Sequence, residues 1–487
     1  MRTKITASLS QKFKTTLVKN SFWGILSNIL QNILYSVFFI VVARKYSTSD
    51  FANYILANTL YAFVAAFSAL GLGQWFIREL METEDKTNLT NKFFKMQLYV
   101  GVFFYAINIV LSYVLYQHQL IRSLSLLIGI NVIFDNIIYV ITNINIANLE
   151  QKKNFIIITV EAFLKFLIAC TLFIFPIPVV YLAVILILLR FITLNLFIRI
   201  GTSNSIHLGE ILKTKIDTAG IKEIIASNWS FIIIGSVSII HWRIGNILAS
   251  KVLTMADVAH FEISYKLFSM AVILPVIVSS SLYPVLIKSF SRGINELQTI
   301  YKKAFVAYTL YGMLAFTFIY SFSGIIIPFL FGDKYLDTSG YCKEMFLTTL
   351  VCPTVLLQAN LLITMKLEKL DMWFNIVCLA FCLLLCGIGL YYVKSLSIIN
   401  YAIFTSFVLF HIIQDAALVR RKILTLQHAI AFYIIIGSVY ILYTLLANYM
   451  NAFFLFIGFW TIIAMVSVAV VFAKRIPDAL TLNKQNI

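Results

Sequence analysis

Apolar runs of about 20 residues recur along the whole chain, each closed by a short polar stretch, and no feature constrains the fold more. A run of that length crosses the roughly 30 Å hydrocarbon core of a bilayer as a helix. Only helices satisfy every backbone group inside such continuous runs, and the lack of alternation excludes a strand barrel. The reading is an all-α polytopic membrane protein with about fourteen transmembrane helices. Hydrophobic residues at 61% and charged residues at 12% agree, because a soluble core could not hide that apolar excess.

The spans fall near 20–43, 52–77, 93–116, 123–148, 155–175 and 179–200, then 228–250, 258–286, 303–330, 343–365, 372–393 and 397–419, and last 428–448 and 452–473. The division is an N-terminal six-helix lobe (1–200), an amphipathic cytoplasmic linker (201–227), a C-terminal six-helix lobe (228–419), and spans 13 and 14 with a polar tail (420–487).

Net charge is +17, yet the Lys and Arg sit in short loops between apolar spans, which favours topology over nucleic-acid binding. Placing the N-terminus inside puts Arg78, Lys86, Lys92, Lys95, Lys152, Lys153, Arg199, Lys213, Lys215, Lys222, Lys288, Arg292, Lys302, Lys303, Lys366, Lys369, Arg420, Arg421, Lys422, Lys474, Arg475 and Lys484 on one side. The other side keeps Arg44, Lys45, Arg122, Lys251, Lys334, Lys343 and Lys394. The positive-inside rule then puts both termini in the cytoplasm. The first 20 residues read as a retained basic tail, since the apolar run after them is too long for a signal peptide.

An internal repeat runs at an offset of about 207 residues. Asp50-Phe-Ala-Asn-Tyr54 matches Asp257-Val-Ala-His-Phe261, Asn20-Ser-Phe-Trp23 matches Asn228-Trp-Ser-Phe231, and Ala43-Arg-Lys45 matches Ala249-Ser-Lys251. An even number of helices per repeat predicts a pseudo-two-fold axis along the membrane normal.

Span 1 is followed by Ala43-Arg-Lys-Tyr-Ser-Thr-Ser-Asp-Phe-Ala-Asn-Tyr54, and span 2 ends in Leu70-Gly-Leu-Gly-Gln-Trp-Phe-Ile-Arg-Glu79. These segments resemble the opening of Wzx-type polysaccharide flippases of the multidrug/oligosaccharidyl-lipid/polysaccharide exporter (MOP) superfamily. That family's pattern is Ala-Arg-x-Leu-Gly before an aromatic-Gly-x-Tyr, and a second helix ending Gly-Leu before Arg-Glu. Tyr46-Ser47 replaces the usual Leu-Gly and Ala52 replaces the Gly. The resemblance implies transport of an undecaprenyl-diphosphate-linked oligosaccharide across a bacterial inner membrane, for O-antigen or capsule synthesis. It also implies membrane lipids, and polymerase and chain-length proteins of the same pathway, as partners.

Ionisable residues inside spans are costly and usually face a cavity or a partner. The cations are Lys165, Arg190, Arg243 and Lys266, and the acids Asp135, Glu161, Glu262 and Asp415. Glu161/Lys165 and Glu262/Lys266 stand at i, i+4 with Glu first, the favoured order. They are either self-neutralised pairs or the walls of an aqueous vestibule. Arg243 has no acid at i±4 and lies at a similar depth to Glu262 and Lys266, so Arg243 and Lys266 are candidates to bind a diphosphate, with Glu262 holding Lys266. Arg190 and Lys165 are a second candidate contact, unless Arg190 pairs with Asp135. Arg78, matching the family's Arg-Glu, is a candidate entrance contact or a snorkelling interface residue. Glu262, Glu161 and Asp135 are candidate ion-coupling or charge-pairing groups. Asp415 is expected to pair with Arg420 or Arg421, and His241 and His260 to be structural. Pro275 and Pro284 predict a bend in span 8.

Cys378, Cys382 and Cys386 share one helical face as small packing residues, with neither a disulfide framework nor a metal site expected. No GxSxG, HExxH, Walker A or other Gly-rich nucleotide loop occurs, so the chain reads as no enzyme and needs no cofactor. Transport would draw on an ion gradient, the membrane potential or consumption of product. Three rivals stand beside the flippase: a cation-coupled multidrug exporter of the same superfamily, a polytopic polysaccharide polymerase or ligase, and a non-catalytic scaffold. Exporters of that kind are expected to have twelve helices and an acidic cavity, and polymerases a long external loop.

Overall fold

The structure, a computed structural model, describes residues 29–69, 71–201, 211, 213–214 and 218–482; the side chains at 74, 218–228, 230–232, 234–235, 238 and 468–482 are not described. The basic N-terminal tail, the start of span 1, much of the expected linker and the last five residues lie outside the described residues.

Every described element is helical. In chain order these are α1 (29–45), α2 (Thr48–Ser68), α3 (Gly73–Glu82), α4 (Lys86–Leu115), α5 (Gln119–Gly129), α6 (Asn131–Ala147), α7 (Gln151–Ile174) and α8 (Val179–Leu196). They continue as α9 (Thr218–Val252), α10 (Met255–Arg292), α11 (Ile294–Phe331), α12 (Thr338–Leu347), α13 (Cys352–Thr364), α14 (Glu368–Tyr392), α15 (Leu396–Arg420), α16 (Leu426–Leu446) and α17 (Ala452–Leu482). Among the described residues, 11 helices are long and apolar enough to cross a membrane. The other three expected spans coincide with α1, α9 and α17, each described only in part.

Span 2 differs from the expectation. The helix stops at Ser68, and Gly71 takes φ 58°, a left-handed conformation that glycine adopts at little cost. The chain restarts as the separate α3, whose Gly73 amide donates to the Tyr139 hydroxyl at 2.5 Å. Span 4 is nearly continuous across Ile130, and span 10 is interrupted by a 3₁₀ turn at Thr348–Leu350. α10 runs unbroken through both prolines. Pro275 has no N–H for the Ala271 carbonyl, and the Tyr311 hydroxyl of α11 donates to that carbonyl instead, at 2.5 Å.

The repeat noticed in sequence has a structural counterpart. Ser47 caps α2, accepting from the Asp50 amide, and Thr254 caps α10 in a reciprocal box with Asp257. The two caps lie 254 − 47 = 207 residues apart.

Burial sorts helices into central and lipid-facing. The apolar window of α12–α13 is 78% buried and that of α2 61%, whereas that of α4 is only 17%. Outward residues such as Val102, Phe103, Val110 and Val114 on α4 suit hydrocarbon as solvent. α2 packs on both α9 and α10, so it joins the first half of the chain to the second. α17 is tied to α11 by the Trp460 indole, which donates to Thr317 Oγ1 at 3.1 Å. Cys378, Cys382 and Cys386 point into the core from one face of α14, as expected of packing residues.

Candidate functional site

A cavity of about 500 Å³ lies between the two halves of the chain. Its walls come from α1, α2, α5, α6, α7, α8, α9 and α10, and it collects Glu161, Lys165, Arg190, Arg243, Glu262 and Lys266. Six ionisable residues from four helices therefore share one space, which accounts for their tolerance inside apolar helices.

On the N-terminal side, Arg190 of α8 is the centre. Its Nε donates to Asp135 Oδ1 at 2.7 Å and its Nη1 to Glu161 Oε2 at 2.5 Å. Lys165 Nζ sits 2.8 Å from Glu161 Oε1, so the i, i+4 pair read from sequence forms. Tyr61 of α2 donates its hydroxyl to Asp135 Oδ2. The Arg190–Asp135 alternative therefore holds, and the same guanidinium spans two acids through its planar fork.

On the C-terminal side, Arg243 Nη1 of α9 donates to Glu262 Oε1 at 2.8 Å. Asn246, one turn further on, donates Nδ2 to Glu262 Oε2 at 2.7 Å and to Thr59 Oγ1 of α2 at 3.2 Å. The expected Glu262–Lys266 pair does not form: Arg243 and Asn246 occupy both carboxylate oxygens. The Lys266 ammonium lies instead over the Phe39 ring, 5.6 Å from its centroid. Gly245 explains how α9 and α10 come so close. A Cβ there would stand 2.2 Å from the Phe261 ring, which is fully buried. The missing side chain lets Phe261 seat against α9 and brings its neighbour Glu262 within reach of Arg243 and Asn246.

The cavity wall is aromatic where it is not charged. Tyr35 and Phe39 of α1 face two cations, with the Lys165 ammonium 4.7 Å from the Tyr35 centroid. Arg243 lies over Tyr265 at 5.1 Å. Tyr54, Asn58 and Tyr61 line the α2 side, and Asn131 adds a polar contact. Sequence reasoning missed these neutral residues; the i, i+4, i+7 spacing of Tyr54, Asn58 and Tyr61 was the available signal.

Four cations and three carboxylates, 4 − 3, leave the ensemble one positive charge in excess. Lys266 is the cation that forms no ion pair among the described residues. Arg243 and Arg190 keep side-chain exposures of 27% and 23%, enough to present unused donors to the cavity.

Three other sequence expectations resolve elsewhere. Arg78 is exposed on α3 and does not reach this cavity. Asp415 pairs with neither Arg420 nor Arg421: it accepts from Gln358 Nε2 at 2.7 Å and Tyr433 at 2.8 Å, and His411 Nδ1 lies 3.0 Å away. Its depth among α13, α15 and α16 puts the loop arginines out of reach. His241 is bonded to Ser406 at 2.8 Å and His260 to Thr338 at 2.6 Å, as structural histidines would be. Among the described residues no cluster of His, Cys, Asp and Glu is arranged to hold a metal ion.

The fold is that of MOP superfamily transporters. An inward-facing multidrug resistance MATE family transporter of that superfamily matches with a TM-score of 0.65 at 11% identity, over 84% of this chain and 95% of its own. A MOP superfamily transporter from Pyrococcus furiosus matches with a TM-score of 0.59 at 13% identity, over 88% and 96%. An outward-facing MATE transporter matches with a TM-score of 0.58 at 12% identity, over 87% and 96%. No protein of curated function matches the sequence. The sequence model for "Polysaccharide biosynthesis protein" matches residues 17–290, more than half of the chain and both sides of the charged cavity. With that match and a transporter fold that crosses the membrane many times, the chain belongs to the polysaccharide biosynthesis protein family.

Proposed function

We propose that this protein is a flippase that moves undecaprenyl-diphosphate-linked oligosaccharide units from the cytoplasmic to the periplasmic leaflet of a bacterial inner membrane by alternating access, for O-antigen or capsule synthesis. The observation that carries the reading is the charged cavity between the two halves, with its surplus cation and the partly exposed guanidinium of Arg243. A diphosphate is a compact polyanion, and a planar guanidinium grips it through paired hydrogen bonds. Arg243 and Lys266 take the headgroup, and the Lys165–Arg190 side supplies further positive potential. Glu262, Glu161 and Asp135 hold these cations in place between cycles and are candidate ion-coupling groups. Tyr35, Phe39, Tyr54 and Tyr61 offer ring faces and hydroxyls to sugars. Arg78 is a first contact at the cytoplasmic entrance, and the twelve-helix body divides into two six-helix lobes that rock about their seam. Polymerase and chain-length proteins of the same pathway are partners at the outer face.

The cation-coupled multidrug exporter shares the fold, so the fold does not separate the two. The family match and the excess of cations over carboxylates favour an anionic, glycan-bearing substrate. The test is a deletion strain assayed for the membrane face on which the lipid-linked repeat unit accumulates. Accumulation on the cytoplasmic face with loss of surface glycan is expected, and normal surface glycan overturns the reading.

A further inference from the structure

Two apolar stripes on neighbouring helices each begin with a basic residue. On α11, Lys302, Phe305, Val306, Thr309 and Met313 follow the spacing of one helical face. On α16, His428, Ala431, Phe432, Ile435 and Val439 do the same. Both stripes line a groove of about 520 Å³, with Phe459 and Ile463 of α17 as its third wall. Thr309 is the polar residue within the α11 stripe, and its hydroxyl is spent on the Phe305 carbonyl at 2.8 Å.

Contacts fix the register of the two helices. Phe305 and Phe432 have ring centroids 5.0 Å apart, an offset of 432 − 305 = 127 residues. The Tyr443 hydroxyl lies 3.2 Å from the Thr317 carbonyl, an offset of 443 − 317 = 126. The helices therefore run parallel, and His428, at 428 − 302 = 126, stands level with Lys302. The far end of the groove is shut. There Tyr443 and Ser321 bond through their hydroxyls at 2.6 Å, the Tyr443 ring meets Phe459 at 5.2 Å, and Trp460 donates to Thr317. The groove thus has one closed end and one open, basic end, and Val306 and Ile435 are exposed along its length.

Lys302 and Met313 are 313 − 302 = 11 residues apart, a rise of about 16 Å. Half of a roughly 30 Å hydrocarbon core is about 15 Å, the depth to which the chains of one leaflet reach. Lys303, Arg420 and Arg421 are exposed at the same end as Lys302. Gln298 Nε2 of α11 donates to the Lys422 carbonyl at 2.5 Å and so holds the α15–α16 turn against the start of α11. A basic pocket between membrane helices on the cytoplasmic side suits an anionic lipid headgroup.

We propose that this groove binds one anionic glycerophospholipid of the cytoplasmic leaflet, with its phosphate at Lys302 and His428 and an acyl chain between the two stripes. The Lys302 ammonium supplies charge. His428 Nδ1 is engaged with Thr425 Oγ1 at 2.5 Å, which leaves Nε2 for the phosphate. The lipid packs between α11 and the α16–α17 pair and ties these last two helices to the body. The groove shares no lining residue with the charged cavity, so the proposal does not rest on the flippase reading.

The experiment uses the full chain, purified in detergent and stripped of lipid. Native mass spectrometry then counts retained palmitoyl-oleoyl phosphatidylglycerol or the phosphatidylcholine with the same chains. The wild type is expected to retain more phosphatidylglycerol. Lys302→Gln should cut that retention roughly five-fold, the worth of one cation at a membrane surface, and Lys302→Arg should keep most of it. Val306→Trp, which fills the groove and leaves the cations, should lower retention of both lipids. Ile435→Trp on the facing stripe makes the same test if the first variant does not fold. Lys152→Gln, at an exposed cation of α7, should change nothing. Equal retention of the two lipids by the wild type overturns the proposal, as does an equal loss in Lys302→Gln and Lys152→Gln. Displacement of phosphatidylglycerol by undecaprenyl phosphate at equal concentration overturns the phospholipid as occupant.

Discussion

Arg190 and Glu161 meet at 2.5 Å although 29 residues separate them, and Glu161 is almost fully enclosed while Arg190 is 23% exposed. The carboxylate is therefore shut away from the cavity, whereas part of the guanidinium stays open to it. Asp135 completes the arrangement from α6. Removing the arginine takes from Asp135 its ion-pair partner and leaves Glu161 with Lys165 alone.

Arg190→Gln is accordingly expected to destabilise the fold by about 3–5 kcal/mol, the usual cost of orphaning a buried ion-pair partner. Thermal unfolding of detergent-purified protein checks this. Lys165→Met should cost far less, since Glu161 keeps Arg190.

Arg243→Ala is expected to abolish surface glycan while the protein remains folded and inserted. Arg243→Lys should restore part of the export, because a point charge replaces the planar fork. Glycan staining of whole cells, with membrane levels by immunoblot, separates loss of function from loss of protein. Wild-type export from the alanine strain would remove Arg243 from the substrate site.

Lys266→Gln should leave stability nearly unchanged, because this ammonium has no ion pair to lose among the described residues. Export should fall. A large drop in unfolding temperature would mean that Lys266 serves the fold.

Gly245→Ala is expected to cost about 1–3 kcal/mol by overpacking against the buried Phe261 ring. It should also separate α9 from α10 and so weaken the Arg243–Glu262 contact. A structure of the variant, or a double-mutant cycle with Glu262→Gln, would show whether the two effects travel together.

Tyr46 lies in the loop between α1 and α2, and its hydroxyl donates to the Ile177 carbonyl at 2.7 Å. Burial, reinforced by the Asp50 carboxylate, pushes its phenol up to about 12 from an ordinary 10. The folded state then holds the proton more tightly than the unfolded chain does. Its stabilisation is complete below pH 10 and is lost as pH rises towards 12. Tyr46→Phe should lower stability by about 1 kcal/mol and flatten that alkaline limb, as read by unfolding temperature against pH.

The membrane class, most span positions and all six charged residues that line the cavity were legible because hydropathy and charge are local properties of a sequence. The break at Gly71 was not, since Leu70-Gly-Leu-Gly73 reads as apolar and a bonding partner such as Tyr139 shows only in three dimensions. Pairing followed the same division. Glu161–Lys165 is a neighbour relation along one helix and was readable. Glu262 went to Arg243 and Asn246 because α9 approaches through Gly245, and no spacing rule within α10 encodes that approach. Asn246 itself drew no notice, as a neutral side chain in an apolar run looks like any other polar filler.

Tyr35 and Phe39 stand one turn apart on α1, and each ring carries a lysine from a different half of the protein. The first helix is thus a shared axle, gripped by Lys165 on one side and Lys266 on the other. Sliding it by about 6 Å, four residues of helical rise, would carry one ring to the level the other now holds. Its register is consequently a single coordinate read simultaneously by both charge clusters, and neutralising either lysine would free the axle on that side alone.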